Sequence, residues 1–338
     1  MAGVIRAVGR ARARGEGRAR PGGTIAYLFV LPAALVFALF YLWPALNTVL
    51  SSFFTWSILA PWQLADPATW QFAGLGNYVE VLTDGRFWNA AFNTAIWLVL
   101  FPIIATVLSL AIAIGIWEIS RGARALRTVF VLPMTVSLTA AGVLWVLVFN
   151  PDFGVLPAAL GVFGLDGANI DIGPLHLRLS EWLSNPGTLE LGVATVNLVN
   201  LSAIMPAVWA LTGFGVISFT AGLTAISPEL IEAARLDGAN RFQIARHVVV
   251  PQLRGAMVIV AVVFVIYALR TFDVVWVTTQ GGPGTDSEVV AILLWREALA
   301  FFDSPSAGQA TAIAVLLSAV MVIGAYPYLR SLLREAPE

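Results

Sequence analysis

Six long apolar runs divide this chain, and each is about as long as a helix that crosses a lipid bilayer. About 20 apolar residues suffice for a helix to span roughly 30 Å of hydrocarbon. The predicted helices cover residues 25–46, 90–117, 128–149, 192–216, 256–279 and 310–329. With 59% hydrophobic and 12% charged residues, the chain is too apolar for a soluble domain. The sequence therefore predicts an all-α, polytopic membrane protein with six transmembrane helices.

The arginines predict the direction in which the chain crosses the membrane. All 19 basic residues are arginine, and 15 of them lie on alternating flanks of the apolar runs, against three on the other flanks. The larger set is Arg6, Arg10, Arg12, Arg14, Arg18, Arg20, Arg121, Arg124, Arg127, Arg235, Arg241, Arg246, Arg254, Arg330 and Arg334, and the smaller set is Arg86, Arg178 and Arg296. Cytoplasmic loops keep the basic residues. Both termini are therefore predicted to be cytoplasmic, in a multi-pass protein of a bacterial inner membrane.

The predicted helices divide the chain into an arm, a first span and a larger core. The arginine-rich arm is predicted to be disordered and is placed to touch anionic membrane lipid. The second long loop, residues 150–190, is rich in Gly, Pro and Asp, so short turns or a docked partner are expected to order it. The predicted boundaries are 1–23 for the arm, 24–56 for the first transmembrane helix, 57–89 for an external loop, 90–330 for the core with a cytoplasmic loop at 217–255, and 331–338 for a cytoplasmic tail.

Two residue types are missing, and their absence excludes several kinds of chemistry. The chain has no cysteine, which rules out disulfides, thiolate metal sites and thiol catalysis. It also has no lysine, and a P-loop needs a lysine on the phosphate that is transferred. His176 and His247 are too isolated to form a metal site or to act as a base. The sequence thus predicts no catalytic residue, no metal, no cofactor bound by this chain and no nucleic-acid partner; ATP and Mg would be held by partner subunits.

The cytoplasmic loop contains signals for two short helices joined at a glycine. Ser227 is predicted to cap the first helix, and Pro228 fits its first turn, where no hydrogen-bond donor is needed. Gly238 is expected to take the left-handed conformation that ends this helix. Asn240 is expected to cap a second short helix that stops before Pro251. Two short helices bent at a glycine make a compact, rigid projection on the cytoplasmic face.

The same loop carries a recognisable pattern of residues. Its elements are Glu232-Ala233-Ala234, Gly238 and Val248-Val249-Val250-Pro251. The pattern resembles the EAA motif of binding-protein-dependent ABC transporter permeases, with Val248 and Val250 in place of the usual Ile and Leu. Further matches, in order along the chain, resemble the carbohydrate-uptake, maltose-permease-like branch of that family. They are Gly74-Leu75-Gly76-Asn77-Tyr78, Asp84, Phe87-Trp88, Asn93-Thr94, Asn150-Pro151 with Gly154, Trp182-Leu183, Pro186 and Thr279-Gln280-Gly281-Gly282-Pro283.

The resemblance implies an ABC importer permease core whose cytoplasmic loop seats in a cleft of an ATP-hydrolysing subunit. The residues implied in this coupling are Glu232, Ala233, Ala234, Asp237, Gly238, Arg241 and Pro251. The implied partners are a second homologous permease subunit, two ATP-binding-cassette subunits and an extracytoplasmic sugar-binding protein. That protein is expected to dock on the loop at 150–190 and on Gly281, Gly282 and Pro283, although a simple turn explains these glycines equally well. The implied mechanism is alternating access, with this chain a non-catalytic subunit.

Candidate contacts with the transported solute lie on the fourth and fifth predicted helices, from which sugar contacts come in the family that the chain resembles. They are Trp209, Phe214, Phe264, Tyr267 and Thr271, together with the polar residues Asn197, Asn200, Arg270 and Asp273. Phe264, Tyr267 and Thr271 share one helical face by their spacing, and aromatic rings stack on the faces of sugars. Packing against lipid or other helices is the commoner role of aromatic residues in membrane helices and stays open.

The polar candidates have structural alternatives. A charge at the centre of a bilayer costs about 2.5–3.5 kcal/mol, so Arg270 and Asp273 must pair or face water. Three residues apart on a helix, these two can pair with each other. Asn197 and Asn200 are expected to share a helical face in the same way. Hydrogen bonding between helices explains both asparagines without any solute.

The fourth predicted helix departs from the resemblance. Where the family has a tryptophan followed by a Pro-Phe pair, residues 197–202 read Asn-Leu-Val-Asn-Leu-Ser. The resemblance therefore does not identify the residues that line the translocation path. The substrate also stays undetermined: it is a neutral sugar or oligosaccharide, or a glycerol-3-phosphate-type solute. Gly213 and Gly215, later in the same helix, are expected to let a neighbouring helix approach closely.

Two other classes of membrane protein agree less well with the sequence. A self-contained secondary transporter predicts inverted repeats and buried acidic relay residues, but no repeat is evident and only Asp273 is available. A membrane-embedded enzyme predicts Cys, paired His or clustered carboxylates that converge at membrane depth, and the apolar runs contain no such group.

Overall fold

Helices dominate the described part of the chain, as the sequence predicts. The computed structural model describes residues 23–119, 121–179, 181–190, 195–299 and 306–335. Most of the predicted arm at 1–23 and the end of the predicted tail at 331–338 lie outside these ranges. The helices are α1 (Gly23–Phe37), α2 (Trp43–Ser51), α3 (Gly76–Thr83), α4 (Gly85–Trp117), α5 (Ala123–Val131), α6 (Leu138–Val148), α7 (Val155–Gly161), α8 (Val199–Thr224), α9 (Pro228–Leu236), α10 (Arg241–Ile244), α11 (Val250–Gln252), α12 (Arg254–Leu269), α13 (Asp273–Thr278), α14 (Val290–Leu299) and α15 (Ala307–Glu335).

Three continuous helical stretches are long and apolar enough to cross a membrane, namely Tyr27–Ser51, Gly85–Trp117 and Val199–Thr224. Two bent pairs raise the number to five if each counts as one span: Ala123–Thr135 with Leu138–Val148, bent by 104°, and Arg241–Gln252 with Arg254–Leu269, bent by 72°. A shorter apolar helix covers Ala307–Ile323. The described residues therefore carry the apolar helices expected of a membrane protein, while the count of six spans and the cytoplasmic termini stay predictions.

Two helices that are continuous in the sequence analysis are broken in the structure. The predicted helix at 128–149 turns sharply between α5 and α6. The predicted helix at 256–279 ends at Leu269, and α13 starts again at Asp273, after a non-helical Phe272 with φ −140° and ψ −59°. A hydropathy window averages across such breaks, because it measures apolar composition and not backbone hydrogen bonding.

The second long loop forms α7 and a small antiparallel sheet, so the chain is mainly rather than entirely helical. The four strands pair in chain order and are β1 (Asn169–Ile172), β2 (Leu175–Arg178), β3 (Gly187–Glu190) and β4 (Thr195–Asn197). Gly187 lets β2 and β3 meet, because a Cβ there would lie 1.8 Å from the carbonyl oxygen of His176. Strand β4 occupies residues that were expected to begin the fourth helix at 192, and α8 begins at Val199 instead.

Helices α4 and α8 form the centre of the molecule, and they pack at very short distance. A Cβ at Gly215 would lie 2.3 Å from Ser109 Oγ and 2.5 Å from Ser109 Cβ, so only glycine fits there. Ser109 Oγ also lies 3.0 Å from the carbonyl oxygen of Thr212, a hydrogen bond between the two helices. A Cβ at Gly213 would lie 2.9 Å from the carbonyl oxygen of Phe130, on α5. These distances confirm the close helix approach predicted for the two glycines.

The first helix stands clear of the rest of the described chain. No residue of the 18-residue apolar window in Tyr27–Ser51 is buried. The helix is attached at its C-terminal end, where Asn77 Nδ2 donates to the carbonyl oxygen of Ser52 at 2.8 Å. The hydroxyl groups of Ser52 and Tyr78 also lie 2.6 Å apart. A helix that is apolar all round and exposed has a surface suited to lipid or to another chain.

The glycine contact gives a first testable prediction. Replacing Gly215→Ala should destabilise the protein, because overpacking of a tight contact costs about 1–3 kcal/mol. The matched control is Gly115→Ala, on the exposed side of α4, where an added Cβ meets nothing within 4 Å. Alanine favours helix over glycine by about 1 kcal/mol, so the control should be neutral or stabilising. Thermal unfolding of both variants in detergent micelles measures the difference, and equal midpoints would contradict the close packing.

Candidate functional site

The predicted cytoplasmic loop at 217–255 is helical up to Thr224, where α8 ends. Its remainder, residues 225–253, called the coupling loop below, forms two short helices joined at the predicted glycine. Gly238 has φ +83°, in the left-handed region that glycine alone adopts without strain. The N–H of Ala239 bonds to the carbonyl oxygen of Ala234, and the N–H of Gly238 bonds to that of Arg235, both at 3.0 Å. These two bonds close the end of α9 in the way typical of a Schellman motif. The predicted bend at Gly238 is confirmed.

Of the two predicted helix caps, the one at Asn240 is confirmed and the one at Ser227 is wrong. Asn240 Oδ1 accepts a bond from the N–H of Gln243 at 2.9 Å, and Gln243 Oε1 accepts one from the N–H of Asn240 at 2.8 Å. This reciprocal capping box confirms the predicted start of the second helix. Ser227 occupies the N-cap position of α9, but its side chain makes no capping hydrogen bond. The predicted serine cap is therefore wrong, and Pro228 in the first turn reduces the number of donors that need a partner.

The second helix does not stop before Pro251, which corrects the sequence analysis. A π turn at Ala245–Val249 follows α10, and the N–H of Val250 bonds to the carbonyl oxygen of Ala245, five residues back. A widened turn of this kind accommodates a proline that would clash with the preceding turn of a regular α-helix. The helical stretch therefore continues to Gln252, and the chain bends by 72° before α12.

The coupling loop is fixed to the membrane helices by buried apolar side chains. Ile231 on α9 and Ile244 on α10 are buried, together with Val249 and Leu253, in the same cluster as the core of α4 and α8. A Cβ at Gly222, near the end of α8, would lie 2.6 Å from Leu253 Cδ2. The loop and α8 therefore touch without a gap, and a displacement of one moves the other.

The opposite face of the coupling loop is exposed and partly apolar. The side chains of Leu236 and Phe242 are 89% and 72% exposed, on either side of the bend at Gly238. Glu232 and Ala233 are exposed beside them. Large apolar side chains grouped on a polar surface indicate a site of contact with another protein.

A cavity of about 590 Å³ separates the coupling loop from the end of α4. Trp117 and Glu118 line one side of this cavity, and Arg235, Asn240 and Arg241 line the other. Arg241 Nη1 lies 3.5 Å from Glu118 Oε2, and 87% of the arginine side chain stays exposed. An exposed ion pair of this kind contributes about 0–1 kcal/mol, so Glu118 holds Arg241 only weakly.

The predicted solute-facing surface of the fifth helix does not exist as one open face. Phe264 has no exposed surface, because its ring packs 5.5 Å from that of Phe101 and 6.1 Å from that of Phe214. Phe264 and Phe214 are helix-packing residues in this conformation, which is the alternative that the sequence left open. Tyr267, on the same helix, is 43% exposed. Trp209 is 36% exposed and packs edge-to-face on Trp145.

Four of the predicted solute contacts do come together. Tyr267, Arg270, Thr271 and Asp273 line a cavity of about 340 Å³ at the break between α12 and α13, with Leu138, Ile266, Phe272 and Val274 completing its wall. The ion pairs in the described part of the chain do not include Arg270 with Asp273. The predicted pair is absent because the helix ends between the two residues, which removes their helical i,i+3 relation.

Asn197 and Asn200 do not share a helical face. Asn197 is the last residue of β4, whereas Asn200 lies in the first turn of α8. Asn200 is fully buried, and its Nδ2 donates to Asn93 Oδ1 on α4 and to the carbonyl oxygen of Asp286, both at 3.0 Å. Asn200 therefore connects helices and a loop, as the structural alternative predicts, and has no surface for a solute in this conformation.

The predicted docking glycines belong to a loop at 279–289, called the Gly-Gly-Pro loop below. Gly281 is buried and has φ +86°. Ser287 Oγ donates to the carbonyl oxygen of Gly282 at 2.7 Å, which closes the turn. Pro283 and Gly284 are exposed at its tip. The loop is a turn, and its tip is also accessible to a partner.

A buried ionic cluster next to this loop was missed by the sequence analysis. Glu288 has no exposed surface and accepts two bonds from Arg86, each at 2.8 Å, and one from Arg296 at 2.7 Å. Removing one partner from such a buried pair costs about 3–5 kcal/mol. Burial raises the pKa of the neighbouring Glu297, against the charge of Arg86, and the charges of Asp84 and Glu288 add to the rise. The only signal in the sequence was that Arg86 and Arg296 depart from the cytoplasmic pattern.

Comparison with known proteins identifies the family. The sequence pattern of the family described as "Binding-protein-dependent transport system inner membrane component" matches residues 108–335. The osmoprotective compounds uptake permease protein GgtC of Synechocystis sp. is 34% identical over 295 residues, 87% of this chain and 94% of that protein. The trehalose/maltose transport system permease protein MalF of Thermococcus litoralis is 26% identical over 306 residues, 90% of this chain and 92% of that protein.

The fold is also that of a solved importer. The chain is similar to the crystal structure of a bacterial alginate ABC transporter in complex with alginate pentasaccharide-bound periplasmic protein, with a TM-score of 0.68 and 20% identity over 88% of this chain and 90% of that chain. At this identity the likeness shows the fold alone. The family match over two thirds of the chain and the 34% identical relative show more: the chain belongs to the binding-protein-dependent transport system inner membrane components, and it is the permease subunit of an ABC importer.

Proposed function

We propose that this permease pairs with a second, homologous permease and passes a neutral sugar or oligosaccharide inward by alternating access. An extracytoplasmic binding protein delivers the sugar, and two separate ATP-binding-cassette subunits, holding ATP and Mg, supply the energy. The observation that carries the proposal is the coupling loop, which has one face packed into the membrane helices and an apolar face exposed. A relative whose name includes trehalose and maltose, and a similar transporter solved with an alginate pentasaccharide-bound periplasmic protein, support a carbohydrate substrate.

The energy of ATP hydrolysis enters through the exposed face of the coupling loop. Leu236 and Phe242 bury apolar surface in a cleft of the ATPase subunit, and the exposed Glu232 and Arg241 make polar contacts around them. Leu253 then passes the movement to α8 because it contacts this helix at Gly222. Packed elements move as rigid bodies, so closure of the ATPase subunits tilts the membrane helices.

The solute path runs past the cavity at the break between α12 and α13. A neutral sugar offers many hydroxyl groups, each both a donor and an acceptor of hydrogen bonds. Arg270 supplies donors, Asp273 supplies acceptors, Thr271 supplies both, and the ring of Tyr267 offers an apolar face for stacking. Charged residues within a predicted membrane helix are costly, which makes Arg270 and Asp273 candidates for a functional site.

A glycerol-3-phosphate-type solute is the second candidate, and the same cavity allows a test between the two. Arg270 would attract a phosphate group. Asp273 lines the same 340 Å³ cavity, and its negative charge would repel a phosphate dianion but not an uncharged sugar. The aspartate therefore favours the uncharged substrate.

Bending of the coupling loop at Gly238 gives the second prediction. Gly238→Val should lower sugar uptake about tenfold in reconstituted liposomes. A valine in the left-handed conformation costs about 1–2 kcal/mol, so the backbone at this position would change and the bend between α9 and α10 would be lost. The control is Gly122→Val, in another exposed cytoplasmic-side turn with φ +85° and no neighbour within 4 Å. The control should transport within about twofold of the wild type. Full uptake by Gly238→Val, with the ATPase subunit still bound, would contradict the proposed coupling.

The charge of Asp273 gives the third prediction. Asp273→Asn should lower uptake of a neutral sugar about tenfold, since a hydrogen bond to a charged group contributes about 1.5–3 kcal/mol. The same variant should increase uptake if the substrate is glycerol 3-phosphate, because a like charge is removed. Asp66→Asn is the control, because it removes an exposed carboxylate while an asparagine can keep the bond from the N–H of Ala68. Uptake of maltose, trehalose and glycerol 3-phosphate into cells that carry each variant decides between the outcomes.

A further inference from the structure

The Gly-Gly-Pro loop has little regular structure, and side chains of other segments hold it in addition to its own turn hydrogen bonds. Asn89 Nδ2 donates to the carbonyl oxygen of Thr285 at 2.7 Å, and Asn93 Nδ2 donates to that of Glu288 at 3.0 Å. Thr94 Oγ1 accepts a bond from the N–H of Val290 at 3.0 Å. With Asn200 from α8, these residues fasten the second half of the loop to the membrane helices.

Arg296 joins the two ends of this loop. Its Nη1 donates to Glu288 Oε1 and its Nη2 donates to the carbonyl oxygen of Gln280, both at 2.7 Å. Glu288 is itself fixed by the two bonds from Arg86. One planar guanidinium, with its donors in a rigid fork, therefore bridges the start and the end of the loop. It acts together with Ser287, whose N–H bonds to the carbonyl oxygen of Gly281 at 3.2 Å and whose hydroxyl lies 2.8 Å from that of Thr279.

The start of the loop is under strain, and this makes the arginine bond important for its shape. Gln280 has φ +53°, the only non-glycine residue in the described chain with a positive φ. A residue in this region persists only where its surroundings hold it. The next residue, Gly281, has φ +86° and lies close to Glu288. A Cβ added to this glycine would lie 3.3 Å from the glutamate Cα. Without Arg296, the carbonyl oxygen of Gln280 loses its charged donor, and the bond from the N–H of Gln280 to the carbonyl oxygen of Val275 at 3.0 Å is left to hold this strained residue.

We propose that Arg296 is a positioning residue for docking of the extracytoplasmic binding protein, an inference that rests on the function proposed above. The arginine fixes the loop before the partner arrives, so that Pro283 and Gly284 project from a prebuilt surface. A surface ordered in advance binds more tightly, because no ordering cost is left for the encounter. The similar alginate transporter was solved in complex with its periplasmic protein, which supports a partner of this kind on the external face of the importer.

The test uses the whole importer in lipid nanodiscs: this chain, the second permease and the ATPase subunits. ATP hydrolysis is followed while an extracytoplasmic binding protein that stimulates the wild-type importer is added, loaded with the sugar that stimulates the wild type most. For Arg296→Gln we expect the half-saturating concentration of binding protein to rise about tenfold, with the maximal rate within about twofold. Arg296→Lys keeps the charge but loses the fork, so its half-saturating concentration should lie between those of the wild type and Arg296→Gln. Arg124→Gln is the control, since Arg124 is exposed on the far side of the predicted membrane.

A second route reaches the same loop without changing a charge. Gly281→Ala places a Cβ against Glu288 and should also raise the half-saturating concentration, so it decides the question if Arg296→Gln does not assemble. An unchanged half-saturating concentration in both variants overturns the proposal. A lower maximal rate at unchanged half-saturation also overturns it, because the arginine would then act on the transport step. If the wild-type importer shows neither uptake nor stimulation by the binding protein, the proposed function itself fails, which is a distinct result.

Discussion

The contact between α4 and α8 is the constraint on which the rest of the structure depends. In a membrane, apolar side chains gain nothing by leaving lipid for other apolar side chains, so helices associate through close packing and hydrogen bonds. Gly215 and Ser109 supply both, because the glycine admits the serine side chain and the serine hydroxyl reaches a carbonyl of the partner helix. Helix α8 is the most buried of the long apolar helices, with 61% of its window inside the structure.

Helix α8 then connects two chemically different ends. At one end, Gly222 packs against Leu253 and the coupling loop. At the other end, Asn200 bonds to Asn93 and to the Gly-Gly-Pro loop. Apolar packing on one side and amide hydrogen bonds on the other are both short-range, so neither end can shift far without the helix between them. This arrangement links the surface proposed for the ATPase with the surface proposed for the binding protein.

The features that the sequence predicts well are those set by neighbouring residues. Gly238 and Asn240 were found because left-handed backbone and helix capping depend on a few adjacent positions. The apolar runs gave the helices, but not the breaks at Phe272 or at Leu253, because composition does not record backbone hydrogen bonds. Glu288 could not have been placed from the sequence, since its partner Arg86 lies 202 positions away and a buried glutamate looks like an exposed one in a sequence. The prediction that Phe264 faces the path is wrong for a similar reason, because helical spacing shows which residues share a face but not what covers that face.

The corner between Arg241–Gln252 and Arg254–Leu269 has a mechanical meaning. Both arms are helical, the shorter one with a π turn in its middle, and they meet at 72° with a buried Leu253 at the vertex. Twelve residues of helix make a lever about 18 Å long, at 1.5 Å per residue. A sideways shift of about 1 Å at Arg241, the far end of the lever, therefore turns it about 3° around the vertex. If the angle at the corner stays at 72°, the longer arm, Arg254–Leu269, rotates by the same angle. A small displacement of the coupling loop then becomes a rotation of this membrane helix.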